Sequence, residues 1–153
     1  VAICRALVIA VVWGGRHIED LREIRGDGAL RGLIGLEEMP SCSTFGDWLV
    51  RVEQGGGIEG QAGVNKEVVG EILAKDEREG YTLDVDATVI EAEKKEACWT
   101  YKKVKGYQPI LGFLKENRLC LAYEFRQGNE PASLRAVEFL QRCEEGLPEG
   151  KDL

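Results

Sequence analysis

Histidine occurs once in this chain of 153 residues, at His17, and methionine once. With one imidazole and no Cys-x-x-Cys pair, a histidine- or cysteine-based zinc site is excluded as a working idea. His17 follows Gly14-Gly15-Arg16 at a helix start, and with no nucleophile–base pattern around it, it reads as an exposed or capping residue. The five cysteines, Cys4, Cys42, Cys98, Cys120 and Cys143, are odd in number and widely spaced, as scattered thiols of a reducing cytoplasm would be. A long hydrophobic run is also missing. The apolar opening up to Trp13 is interrupted by Arg5 and is too short to span a bilayer, so no membrane role is expected and a buried helix is. A phosphate-binding loop is absent too: no Lys-Ser or Lys-Thr follows the glycines between Gly55 and Gly63 at the required spacing.

What is present is an uneven charge. The chain carries −7 overall, which argues against generic polyanion binding. From Lys94 to Arg118, however, seven basic residues stand against Glu96 and Glu116. Such a stretch is commonly a solvated loop. It also suits a phosphate backbone, because Trp99, Tyr101 and Tyr107 interleave with Lys102, Lys103 and Lys105.

The first part of the chain has helical spacing. Ile18, Leu21 and Ile24 recur along one face, Leu30, Leu33 and Ile34 form a short stripe ending at Gly35, and Ser43 or Thr44 can cap a helix carrying Phe45, Trp48, Leu49 and Val52. Trp13, Phe45 and Trp48 are expected in the core of this lobe. Gln54 to Gly63 holds five glycines and reads as a linker. Val64 to Arg78 predicts a further amphipathic helix. From Tyr81 the period falls from 3.6 to 2. Tyr81 to Thr88 predicts a strand with Leu83, Val85 and Ala87 on one face and Thr82, Asp84, Asp86 and Thr88 on the other. A polar loop follows. Ile110–Leu114 and Leu119–Phe125 predict a hairpin, and Ala132–Cys143 a helix closed by Gly146 and Pro148. The division expected is a helical region over 1–79 and a strand-containing domain over 80–153.

Aspartate is a poor strand residue, so two on one strand face call for a reason. One is metal: carboxylates on a rigid strand anchor Mg²⁺. The other is that the strand ends here and Asp86 with Thr88 opens a turn.

Several motifs then agree. Leu83-Asp84-Val85-Asp86-Ala87-Thr88 resembles the first acidic motif of DDE-type transposases of bacterial insertion sequences. Lys105-Gly106-Tyr107-Gln108-Pro109 with Leu111-Gly112-Phe113 is similar to that family's next strand, and Phe125-Arg126-Gln127-Gly128-Asn129 to the exit from its third. Gly14-Gly15, Glu19-Asp20-Leu21, Leu33-Ile34-Gly35-Leu36 and Pro40-Ser41 through Thr44-Phe45 resemble its helical N-terminal region. The resemblance implies an α+β or α/β architecture: a helical lobe, then the first three strands and first helix of an RNase H-like fold, with Asp86 projecting from a central strand. It implies three acids, Asp, Asp and Glu, that hold two Mg²⁺ or Mn²⁺ ions for DNA strand cleavage and strand transfer. Asp86 matches the first acid as catalytic residue and metal ligand, since it precedes Ala-Thr; Asp84 is the lesser metal candidate. Lys102, Lys103 and Lys105 would contact DNA.

The match stops before the second and third acids. The expectation is an N-terminal fragment, inactive alone, of a bacterial cytoplasmic, nucleoid-associated protein that acts on transposon-end DNA as a homodimer. The alternative is a non-catalytic DNA-binding or protein-interaction remnant.

Overall fold

The computed structural model describes residues 2–33, 35–36 and 38–153. Its secondary structure is mixed helix and sheet, the α+β class, and the chain divides into two units, residues 1–58 and 59–153.

The first unit is helical. Helix α1, Ala2–Val12, buries only its alanine face: Ala6 and Ala10 pack inward while Val8, Val11, Val12 and Trp13 face solvent. The expectation of a buried first helix with Trp13 in the core is therefore corrected. Two small residues make the close contact, with Ile3 and Ile9 partly buried beside them, and the valines and Trp13 stay in solvent. A 3-10 turn, Ile18–Asp20, leads into α2, Leu21–Gly26, which buries Leu21 and Ile24 as their spacing requires. Asp27 ends it, and its Oδ1 accepts the Leu30 amide at 2.9 Å to start α3, Gly28–Leu33. Leu33 is exposed, and Ile34 lies outside the described residues. Helix α4, Cys42–Gln54, is capped by Ser41, two residues before Ser43 and three before Thr44: Ser41 Oγ accepts the Thr44 amide at 3.1 Å. Phe45 is 1% exposed, with the Trp48 ring 5.7 Å away, centroid to centroid.

Helix α5, Gly57–Leu73, begins inside the stretch expected to be a linker. At Gly60 and Gly63 nothing lies within 4 Å of a would-be Cβ, so these glycines stand on open helix surface. The helix sends Val69 and Leu73 into the core of the second unit, which is why this helix goes with the sheet.

The main sheet of that unit is antiparallel. β1, Leu83–Ala87, pairs with β5, Ile110–Leu114, which pairs with β6, Cys120–Glu124. Asp84 stands opposite Phe113 and Asp86 opposite Leu111. β1 thus lies at the edge of the described sheet and β5 in its centre, a correction to the central position expected for Asp86. At the other face, α6, Ala136–Glu144, covers the strands. Leu73, Leu114, Phe139 and Cys143 are fully buried there, the leucines and the phenylalanine each contributing about 1.5–3 kcal/mol through their apolar surface. A Cβ on Gly112 would meet Cys143 Sγ at 2.7 Å, so the centre of β5 needs glycine for α6 to approach. Beyond α6 the chain returns beside the entry to β1. Gly80 and Asp152 form a parallel bridge, with Tyr81 N donating to Asp152 O at 2.9 Å and Asp152 N to Glu79 O at 2.8 Å.

The polar stretch between β1 and β5 is not a simple loop. It builds a second small sheet in the order β2, Ile90–Glu91; β4, Lys105–Tyr107; β3, Cys98–Trp99. Two-residue strands carry no period-2 signal, so the sequence pattern gives them no mark. They close because Gly106 has no side chain: a Cβ there would lie 2.1 Å from the Ile90 carbonyl oxygen.

Candidate active site

Asp86 sits on a regular strand, solvent-exposed, on the face opposite α6. Thr88 Oγ1 donates to Asp86 Oδ2 at 3.3 Å, which gives the Asp-x-Thr spacing a physical meaning. Residues near two apart along a strand share a face, so the threonine hydroxyl comes to lie beside the carboxylate. The Asp84 side chain, on the same face, is exposed and makes no hydrogen bond or ion pair among the described residues.

Beside Asp86 lies a cleft of about 650 Å³. One wall is Val85–Ala87 of β1; a second is Trp99–Tyr101 at the end of the small sheet; a third is the loop from Gly128 to Ala132. Two segments far apart in sequence meet to form it. Tyr107 bridges Gln127, Gln108 N donates to Arg126 O at 2.9 Å, and the Tyr107 and Phe125 rings lie 4.8 Å apart. Gly128 rests on the small sheet. A Cβ there would stand 2.5 Å from Gly106 O and 2.6 Å from Cys98 O. The Lys105-Gly106-Tyr107 and Arg126-Gln127-Gly128-Asn129 motifs are thus one contact.

A charge cluster braces the loop from behind. Arg126, its side chain fully buried, donates from Nε to Glu124 Oε1 at 2.8 Å and from Nη1 to Ala132 O at 3.1 Å. Arg135 adds Nη2 to Glu124 Oε1 at 2.8 Å and to Glu130 Oε2 at 3.4 Å, and Arg142 donates to Glu124 Oε2. Burial pushes the Glu124 carboxyl up, but the bonds from Arg135, Arg142 and Arg126 outweigh it and hold it down at about 2. Sequence reading found the Arg126 motif but not this cluster, whose members come from β6, the following loop and α6.

Lys102, Lys103 and Lys105 fall on the turn joining β3 to β4 and at the start of β4. Lys103 N donates to Thr100 O at 3.0 Å, and the left-handed Lys103 (φ 61) tightens the turn. All three are exposed and none is in an ion pair among the described residues. Lys102 Nζ lies 5.7 Å from the Tyr101 ring centroid, and Lys105 is the cross-strand partner of Trp99. The structure therefore brings Trp99 and Tyr101 to the Asp86 cleft, with Lys102 over the Tyr101 ring.

The donor set for a metal is partial. Asp84 and Asp86 offer two carboxylates on one face, enough for a Mg²⁺ that keeps most of its water. Among the described residues no group of three or more histidine, cysteine, aspartate or glutamate side chains is gathered as a metal site. No described helix is long and apolar enough to cross a membrane.

A family model described as transposase DDE domain group 1 matches residues 1–147. No curated protein matches the chain, and no solved structure does.

Proposed function

The chain belongs to the transposase DDE domain group 1 family, and from that membership we propose that it supplies the Asp86 portion of a DNA-cutting site in an RNase H-like fold. The supporting observation is Asp86 itself, held by Thr88 on a regular strand and opening onto the cleft. Asp86 would be the first acid ligand and Asp84 a lesser, water-mediated one. Divalent metal, Mg²⁺ or Mn²⁺, when bound would activate the attacking oxygen and stabilise the leaving one. Lys102, Lys103 and Lys105 would neutralise the phosphates of transposon-end DNA, with a homodimer as the working assembly in a bacterial cytoplasm.

Two carboxylates hold a hydrated ion weakly, so the chain alone is expected not to cleave. Incubation with terminal-inverted-repeat DNA and Mg²⁺ or Mn²⁺ should leave the DNA intact; metal-dependent nicking abolished by Asp86→Ala would overturn that expectation. Metal contact is testable separately. Mn²⁺ should broaden amide resonances around residues 84–88 preferentially, and Asp86→Ala should remove the effect while Asp84→Ala weakens it. Broadening centred elsewhere would refute Asp86 as ligand.

A second reading, a non-catalytic DNA-binding or protein-interaction remnant, is favoured by the lack of a three-ligand group among the described residues. The DNA-binding readings share the lysines. Replacing Lys102, Lys103 and Lys105 together by alanine should lower the slope of log affinity against log salt by about 2–3, since each phosphate contact contributes roughly 0.9 for duplex DNA. An unchanged slope would remove the basic turn from the interface.

A further inference from the structure

Helix α1 is apolar on nearly every side, and the fold uses only one of them. Ala6 and Ala10 face the core of the first unit, with Ile3 and Ile9 partly buried beside them. On the opposite side the exposed Cys4, Val8 and Val11 recur at i, i+4 and i+7, the spacing of one helix face. Leu7 and Val12 border this stripe and Trp13 follows it, all three exposed, Val12 by 78%. Arg5, the one charged residue of the helix, stands on the flank: its Nη1 lies 3.6 Å from the position that a Cβ of Gly35 would take. The stripe itself carries no charge.

A helix that is hydrophobic all round is a buried helix in the working protein. A bilayer does not fit as the cover. The 11 residues of α1 make a helix about 16 Å long, against roughly 30 Å for the apolar core of a membrane. A helix lying in a membrane interface needs a strongly charged face opposite its apolar one, and α1 has none. What fits is a protein surface that is itself apolar, uncharged and ridged like a helix. The same stripe on a second copy meets all three conditions, since a two-fold pair sets identical faces against each other. The exposed side chains of the stripe and its borders offer on the order of 500 Å² per copy, so a pair would bury about 1,000 Å², the size from which a specific interface holds. The direction of pairing follows from the ends of the helix. α1 has no acid in its first turn and no base in its last, so nothing along it offsets its dipole. An antiparallel partner does, by laying opposite ends side by side.

We propose that two copies of this chain pair through the outer face of α1, antiparallel, with Val8 on the two-fold axis. The proposal rests on the homodimer reading given above and adds its contact surface. Val8 then meets its own copy, and Cys4 stands opposite Val12. The two Cys4 residues lie about 12 Å apart along the helix axes, eight residues of rise. That is beyond the reach of a disulfide.

Sedimentation velocity of the whole chain, across a wide range of concentration, should show a monomer–dimer equilibrium. Val8→Glu sets two carboxylates face to face on the axis and should weaken it about a hundredfold, as like charges do at an interface. Val8→Lys should do the same. Mixing the two variants should restore the dimer as a one-to-one pair, which chains that had merely lost their fold could not form. Val8 is 59% exposed, so both variants should melt like the parent by circular dichroism. Under mild oxidation, Val8→Cys in a Cys4→Ser background should give a disulfide-linked dimer, and Cys4 of the parent should not. A dimer left intact by Val8→Glu would overturn the surface and leave the homodimer reading standing. Efficient linking through Cys4, with none in the Val8→Cys variant, would overturn the antiparallel pairing. A chain that stays monomeric at every concentration would refute both surface and homodimer. None of these measurements involves DNA, so the Asp86 reading stands or falls apart from them.

Discussion

Glu124→Ala should destabilise the sheet-bearing unit by about 3–5 kcal/mol, the range seen when one partner of a buried charge pair is removed. Glu124 takes Arg126 on Oε1 at 2.8 Å, Arg135 on the same oxygen at 2.8 Å, and Arg142 on Oε2. The decisive partner is Arg126, whose side chain has no exposure at all. Its Nη1 is satisfied by Ala132 O, but its Nη2 already lacks a partner. Without the carboxylate, a desolvated guanidinium would keep one hydrogen bond to a carbonyl. Arg135, whose φ of 51 costs a non-glycine residue of order 1 kcal/mol, would lose its bonds to Glu124 and keep only the longer one to Glu130. Urea denaturation followed by circular dichroism measures the loss. The double variant Glu124→Ala with Arg126→Met should recover a good part of it, since it removes the stranded charge. A single Glu124→Ala variant within 1 kcal/mol of the parent would show that the cluster does not hold the unit together.

The same carboxylate sets an acid dependence. Its folded pKa, about 2, lies below the ordinary value of 4.5. The unfolded chain therefore binds the proton first as pH falls. The stabilisation is complete above pH 4.5 and disappears as pH drops towards 2. With Arg135 and Arg142 half exposed, screening limits its size to roughly 2–3 kcal/mol. Asp20, Asp76 and Glu116 are also lowered, chiefly by backbone hydrogen bonds, and slope the same way. The Glu124 share is the difference between the parent and Glu124→Gln, measured from pH 5 to pH 2.5.

How much of this was readable in the sequence depends on the range of the signal. β1, β5 and β6 lie within the stretches that alternation marked, and the β5–β6 hairpin forms around Asn117, whose Oδ1 accepts the Leu119 amide. Such features are set by residues a few positions apart. The small sheet is not. Its strands are two or three residues long, and their pairing depends on Gly106 meeting Ile90 across the chain. Trp99 and Tyr101 stood out among the lysines, yet nothing local ties them to Asp86. That link runs through Gly128, more than twenty residues away. The Glu124 cluster is hidden for the same reason: Arg135 and Arg142 reach it from beyond a loop, and single arginines on a helix read as solvated. The helix over 57–73 misled in the other direction, because glycine clusters suggest a break when nothing crowds a helix.

Gly128→Ala brings the long-range character of the cleft to a single atom. The added methyl would lie 2.5 Å from Gly106 O, 2.6 Å from Cys98 O and 2.8 Å from Thr100 Cγ2. Two of these are backbone oxygens of the small sheet, and they cannot retreat cheaply, since Gly106 is itself pressed against the Ile90 carbonyl. The loop must lift instead. Lifting it pulls on Ala132 O, which holds Arg126, and moves Asn129 away from the Asp86 cleft. The expected cost is about 2–3 kcal/mol in urea unfolding, as for overpacking a tight contact. Faster amide exchange should appear at β3 and β4. Gly70→Ala on α5 is the matched control. Nothing lies within 4 Å of its Cβ, so it should be neutral or stabilising by about 0.5–1 kcal/mol through helix propensity. If Gly128→Ala proved as stable as Gly70→Ala and kept its exchange pattern, the loop would not be seated on the small sheet, and the cleft that joins Trp99 to Asp86 would not exist in solution.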